Sequence, residues 1–161
     1  VTATPLQIAN LSATIANRGY FITPHVVKEV EDEPLDTLYS NKRYTKVRKE
    51  HYETVVQGMR AAVTGGTCRA ANLPGLDVCG KTGTAQNRGK DHSAFMGFAP
   101  MDNPKIAVSV YVENGGWGAT YGVPIGALII EKYLNGKLSP QSEVKANDIQ
   151  MRRIDYGIHE R

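Results

Sequence analysis

The chain has 161 residues, 41% of them hydrophobic, enough for one packed core, so a single domain is the default. Nineteen Lys and Arg against sixteen Asp and Glu give a net charge of +3 spread along the chain, which does not mark a basic face for nucleic acid. No apolar run approaches the roughly 20 residues that cross a bilayer, and the first residues are not a signal peptide.

Val1-Thr2-Ala3 runs without an initiator Met into a helix start, so the chain reads as part of a longer one, with any membrane anchor upstream. Thr4 can cap, Pro5 suits the first helical position and Gln7 can complete a capping box. These signals predict a helix over about residues 4–18, with Ile8, Leu11, Ile15 and Ala16 as its buried stripe and Gly19 as a left-handed stop. Phe21 to Val30, interrupted by Pro24, predicts an irregular edge strand, and residues 31–48 a solvated, charged connection. Tyr52, Val55, Val56, Met59, Ala62 and Val63 recur at helical spacing and predict a second helix ending near Gly65-Gly66.

Three strands are expected at Asp77 to Thr84, Ser93 to Ala99 and Ile106 to Glu113, and their short links favour antiparallel pairing. After the glycine-rich loop around Trp117, Pro124 to Leu134 predicts a third long helix with Ile125, Leu128, Ile129 and Tyr133 along one side. The fold class is therefore α+β, a small antiparallel sheet covered by helices. The expected division is a body over residues 1–138 and a polar tail over 139–161, with one short helix in the tail. Cys68 and Cys79 lack His partners at a zinc-ligand spacing; a bridge between them and a pair of buried free thiols both remain open.

Gly75, Gly80, Lys81 and Thr82 satisfy the phosphate-loop pattern of two glycines flanking four residues, then Lys-Thr. That loop needs a strand before it and a helix directly after it, so that helix N-terminus and backbone amides hold the phosphates. Here Leu76 to Cys79 is extended, no helix is expected after Thr82, and the nucleotide reading fails on context, even with Glu113 available as an acid. Read as a strand, Lys81-Thr82-Gly83-Thr84 places the hydroxyls of Thr82 and Thr84 on one face, where they can share a carboxylate. Gly83 lets an extended peptide approach and pair as an added strand, and Lys81 supplies positive potential. A plain surface hairpin is the bland alternative for these four residues.

Neighbouring sequence favours the binding strand. Gly80-Lys81-Thr82-Gly83-Thr84-Ala85-Gln86 resembles the third box of the penicillin-binding proteins, whose Lys-Thr-Gly accompanies Ser-x-x-Lys and a Ser-x-Asn-type box. Thr4 to Ala9, Ala16-Asn17-Arg18-Gly19, Gly66-Thr67 and His92 to Pro100 are also similar to that family in order and spacing, and the likeness is greatest to class B members of the elongation type. The resemblance implies a fragment of the penicillin-binding protein and serine β-lactamase-like fold. It implies acyl transfer in which a serine attacks a D-Ala-D-Ala stem peptide, releases D-Ala and passes the acyl group to an amine, with penicillins acylating the same serine. Thr82 and Thr84 would then bind the terminal carboxylate of stem peptide or β-lactam. The Thr84 backbone N–H would complete an oxyanion hole, and Lys81 would act electrostatically. The setting implied is the periplasmic face of a bacterial inner membrane, beside cell-elongation membrane proteins, with no cofactor, metal or nucleic acid.

Ser12, Ser40, Ser93, Ser109, Ser139 and Ser142 are each read as lacking a Lys three residues later, so the serine is expected outside this segment. A non-catalytic peptide-binding or scaffold module of the same type is the alternative function. Cys68 stands where the family usually has a small residue. Asp91-His92-Ser93 cannot form a relay, because neighbours on a strand point to opposite faces; His92 is read as structural, and His25, His51 and His159 as surface or capping residues. Trp117 is read either as a lip over the binding strand or as a packing anchor.

Overall fold

The computed structural model describes residues 2–31, 33–154 and 156. The chain order is α1 (Pro5–Ala16), β1 (Tyr20–Phe21), α2 (Thr37–Ser40), β2 (Arg43–Tyr44), α3 (Lys49–Thr64), a 3-10 turn at Arg69–Ala71, β3 (Cys79–Ala85), β4 (His92–Ala99), β5 (Ile106–Val112), α4 (Gly122–Asn135) and α5 (Pro140–Met151). The main sheet is antiparallel in the order β3-β4-β5, so β3 is an edge strand. Its register pairs Lys81 with Met96, Thr82 with Phe95, Gly83 with Ala94 and Thr84 with Ser93.

Thr4 caps α1 in a complete capping box with Gln7. At the other end both Arg18 (φ 56°) and Gly19 (φ 113°) have positive φ, so the stop expected at Gly19 begins one residue earlier. The Arg18 N–H donates to the Ile15 carbonyl and the Gly19 N–H to that of Thr14, which closes the helix in a Schellman motif. Arg18 tolerates the position because its guanidinium is held by the carbonyls of Ala16 and Met101 and faces Glu53.

Alternation along the strands separates two faces. One carries Cys79, Met96 and Phe98; α1 and the first turns of α3 pack there, and Ile15, Tyr52, Val56, Met59, Cys79 and Phe98 form a core. The other carries Phe95, Val108 and Val110 against α4 and the end of α3, with Val63, Cys68, Val78, Val123 and Ile130 in a second core. Phe95 fills a slot left by glycines: a Cβ on Gly80 would lie 2.5 Å from its ring and one on Gly97 2.6 Å, and Gly126 of α4 leaves the same room.

Two predicted stripes are corrected, that of α4 by this slot. In α4 the buried residues are Gly122, Val123, Gly126, Ala127, Ile130 and Glu131, whereas Ile129 and Tyr133 are 45% and 63% exposed, because only small residues let the helix approach the Phe95 ring. In α1 Leu11 is 46% exposed and Ser12 is buried instead, its hydroxyl donating to the Gly97 carbonyl at 2.8 Å. Val55 of α3 is likewise exposed. The expected strand from Phe21 to Val30 reduces to the β1–β2 pair, Tyr20 to Tyr44 and Phe21 to Arg43, so the charged connection supplies a strand and also the short α2. The tail forms α5, docked by its Ser139 amide donating to Glu131 Oε1 at 3.1 Å, while Arg152 reaches the Thr120 carbonyl. No helix among the described residues is long and apolar enough to cross a membrane.

Candidate functional site

β3 carries Lys81, Thr82, Gly83 and Thr84 on the open side of the sheet, where no other strand pairs with it among the described residues. An edge strand of this kind presents a row of backbone donors and acceptors. A strand stands where the phosphate-loop reading needs a helix, so the nucleotide reading is excluded on its own structural condition.

Thr82 and Thr84 share the α4 face, and Lys81, Gly83 and Ala85 the α1 face. The Thr82 Oγ1 is 2.9 Å from Oγ1 of Thr67, in the turn after α3, so one hydroxyl of the strand is held by a neighbouring element. Lys81 Nζ donates to the Thr82 carbonyl at 2.8 Å and borders an open groove of about 530 Å³ between the strand and the start of α1. Gly83 is needed for packing as well as approach: a Cβ on it would meet Ala94 Cβ at 3.3 Å. Gly118, in the loop between β5 and α4, lies directly over it, and a Cβ there would sit 2.6 Å from the Gly83 carbonyl oxygen.

That loop is pinned to the sheet. The Ser93 hydroxyl donates to the Trp117 carbonyl at 2.8 Å and accepts from the Gly122 amide at 3.0 Å, and the Gly116 amide donates to the Asp91 carbonyl. The Asn114 amide donates to His92 Nδ1 at 3.0 Å, so His92 serves the loop structurally. Trp117 is 75% exposed; its backbone anchors the loop and its side chain does not.

Cys68 and Cys79 are buried free thiols. Burial pushes the Cys68 thiol up, partly offset by Thr67, Lys81 and Thr82 beside it. Burial pushes Cys79 up to about 11, against the charges of Arg60 and Arg18. Cys68 thus packs beside β3 as a small apolar side chain. His25 Nδ1 lies 2.7 Å from the Thr23 carbonyl and His51 near Arg48, both exposed; His159 lies outside the described residues. No cluster suited to a metal occurs among the described residues.

One spacing escapes the sequence reading: Lys145 follows Ser142 by three residues. The structure places this pair in α5, which packs on α4 and not on β3, with Ser142 buried beside Glu131. Burial raises the Glu131 pKa and is the largest influence, but Ser142, Ser139 and the Lys145 charge together outweigh it, and the carboxyl is held below its ordinary value. Glu131 Oε2 has no partner at hydrogen-bond geometry, so the Ser142 hydroxyl acts on it as a nearby dipole.

An α+β body that exposes a Lys-Thr-Gly-Thr edge strand defines a class, and the family of the penicillin binding protein transpeptidase domain matches residues 1–134. The chain belongs to that family. It is 34% identical, over 94% of its length, to the peptidoglycan D,D-transpeptidase MrdA of Haemophilus influenzae, of which it spans 27%. Among solved structures it is similar to Pseudomonas aeruginosa PBP2 in complex with WCK 5153 (37% identity, TM-score 0.70, 86% of this chain and 32% of that one). It is also similar to the imipenem acyl-enzyme of penicillin-binding protein A from Mycobacterium tuberculosis (31%, TM-score 0.70, 83% and 31%). The chain therefore spans about a third or less of each of these three proteins.

Proposed function

We propose that the chain is the substrate-gripping part of a peptidoglycan D,D-transpeptidase of the elongation type, which cross-links D-Ala-D-Ala stem peptides through a serine acyl-enzyme and is acylated by penicillins. The observation that carries this reading is the Lys81 to Thr84 strand, held at an open sheet edge with both threonine hydroxyls on one face. In this reading Thr82 and Thr84 receive the terminal carboxylate of stem peptide or β-lactam, and charge-assisted hydrogen bonds of that kind are the strong ones. The Thr84 N–H stabilises the oxyanion as charge develops, and Lys81 orients the reacting serine electrostatically.

The nucleophile lies outside these 161 residues. Ser142, despite its Lys145 partner, is buried against a carboxylate and remote from β3, so it has no substrate to attack. We place the whole protein at the periplasmic face of the inner membrane among cell-elongation proteins, with residues 139–161 as a tail to the transpeptidase body. The direct test is mass spectrometry with excess penicillin. The full-length protein gains one stoichiometric acyl adduct on a serine outside the segment, and the 161-residue chain gains none. An adduct on Ser142 or any other serine here overturns the assignment. A full-length protein that is never acylated favours the non-catalytic scaffold reading.

A further inference from the structure

We propose that a second pocket, at the Thr84 end of the sheet, binds the carboxylate-bearing glycopeptide body of the substrate, with Trp117 as the platform for a sugar ring and Lys90 and Arg153 as carboxylate partners. The inference rests on the proposed transpeptidase reading and extends it to a part of the substrate away from the reacting bond. The pocket has a volume of about 420 Å³, within the roughly 300–1,000 Å³ of small-molecule sites.

Three elements build it. Lys90 comes from the turn between β3 and β4, Asn114 and Trp117 from the loop between β5 and α4, and Arg153 from the residues after α5. The loop is fixed beneath Trp117 by Ser93 and above Gly83 by the close approach of Gly118, so the indole is carried on a rigid backbone immediately beside the binding strand. At 75% exposure, in a loop that the backbone alone already anchors, the ring adds little to the core. A large flat aromatic with a polar tip, held at low conformational cost, is a binding group. Its face matches the C–H face of a pyranose, while the Asn114 side-chain Nδ2, whose Oδ1 already accepts from Asn87, and the Thr120 hydroxyl line the same pocket as donors for ring hydroxyls.

Charge selects the rest of the ligand. Lys90 and Arg153 bring two cations to the pocket, and none of its other lining residues among the described residues is an acid. A neutral saccharide would leave both unused, whereas a stem peptide bearing side carboxylates would engage them. The geometry also permits one molecule to span both sites: Gly118 touches Gly83, and five extended residues reach about 17 Å.

The test compares a disaccharide pentapeptide with the same pentapeptide lacking sugar, by calorimetric titration of the full-length protein, and measures penicillin acylation in the same samples. The sugar-bearing ligand should bind about tenfold more tightly. Trp117→Ala should abolish that gain and leave the sugar-free peptide unchanged, and Trp117→Phe should keep most of it. Lys90→Ala with Arg153→Ala should weaken the glycopeptide and flatten its dependence on salt. Acylation by penicillin, which is too small to fill the second pocket, should stay within twofold of the parent in every variant. Equal binding of the two ligands, or a gain that survives Trp117→Ala, overturns the subsite while normal acylation leaves the transpeptidase reading standing. A Trp117→Ala protein that loses acylation as steeply as glycopeptide binding also overturns it, since the residue would then act on the reaction cleft itself.

Discussion

Thr67 and Thr82 face each other across 2.9 Å, hydroxyl to hydroxyl, joining the turn after α3 to the binding strand. The bond sets the rotamer of one hydroxyl that the proposed carboxylate site requires. Thr67→Val should keep the fold and lower the penicillin acylation rate of the full-length protein about two- to tenfold, the equivalent of one neutral hydrogen bond of about 0.5–1.5 kcal/mol. Stopped-flow acylation checks this; an unchanged rate would mean that Thr82 finds its orientation without Thr67.

Thr84 has no such neighbour, and its hydroxyl is exposed on the strand. Thr84→Val removes the hydroxyl and leaves the amide. Loss of one charge-assisted contact of about 1.5–3 kcal/mol should slow acylation roughly ten- to a hundredfold with thermal stability preserved. Normal acylation of this variant would take Thr84 out of the carboxylate site.

The two thiols make a prediction about pH. Both have pKa values raised by burial, that of Cys79 from 9.0 to about 11, so the folded state prefers them protonated. The stability this contributes is complete below the unfolded pKa and is lost as pH rises through the folded one. In urea titrations the parent chain should therefore weaken between about pH 9 and pH 11 more than a Cys79→Ala variant does. Iodoacetamide at pH 8 should label neither thiol in the native chain and both after unfolding.

Glu131 gives the opposite slope. Its folded pKa lies below the ordinary 4.5, so its contribution is present above that value and is lost as pH falls through the folded pKa. Glu131→Gln should lower the melting temperature at neutral pH, and the gap to the parent should close as the pH drops below 4.5. A gap independent of pH would show that Glu131 holds α5 by shape and not by charge.

That Lys81 to Thr84 forms a strand was legible because it combines period-two hydroxyls with a glycine, and the surrounding string excluded a helix after Thr82. The helices were legible for the same kind of reason: Thr4, Pro5 and Gln7 act locally, and α1 begins where they place it. Which side of a helix meets the sheet is not local. Periodicity marks Leu11 and Ile129 as apolar, but Ser12 turns in to bond the Gly97 carbonyl, and at α4 the depth of contact is set by the Phe95 ring on another strand, which admits Gly126 and Ala127 and turns Ile129 outward. The β1–β2 pair was hidden because two-residue strands carry no periodic signal. Trp117 gave two readings in sequence, since only the fold puts its backbone under Ser93 and its ring outside. Ser142 and Lys145 were available to inspection; their distance from β3 belongs to the fold alone.

The slot around Phe95 limits how this protein can change under selection. Gly80 immediately precedes Lys81, yet the atom that forbids it a side chain belongs to Phe95 on the next strand, and Gly97 and Gly126 answer to the same ring. A lineage under selection can alter the hydroxyl positions one codon at a time. It cannot redirect the strand at Gly80 by a single substitution, because each route needs a smaller residue at Phe95 in the same genome, and that change alone opens a cavity costing about 3–5 kcal/mol. The path between the two is a valley of unstable intermediates, so change should run through Thr82 and Thr84 long before it reaches the glycines.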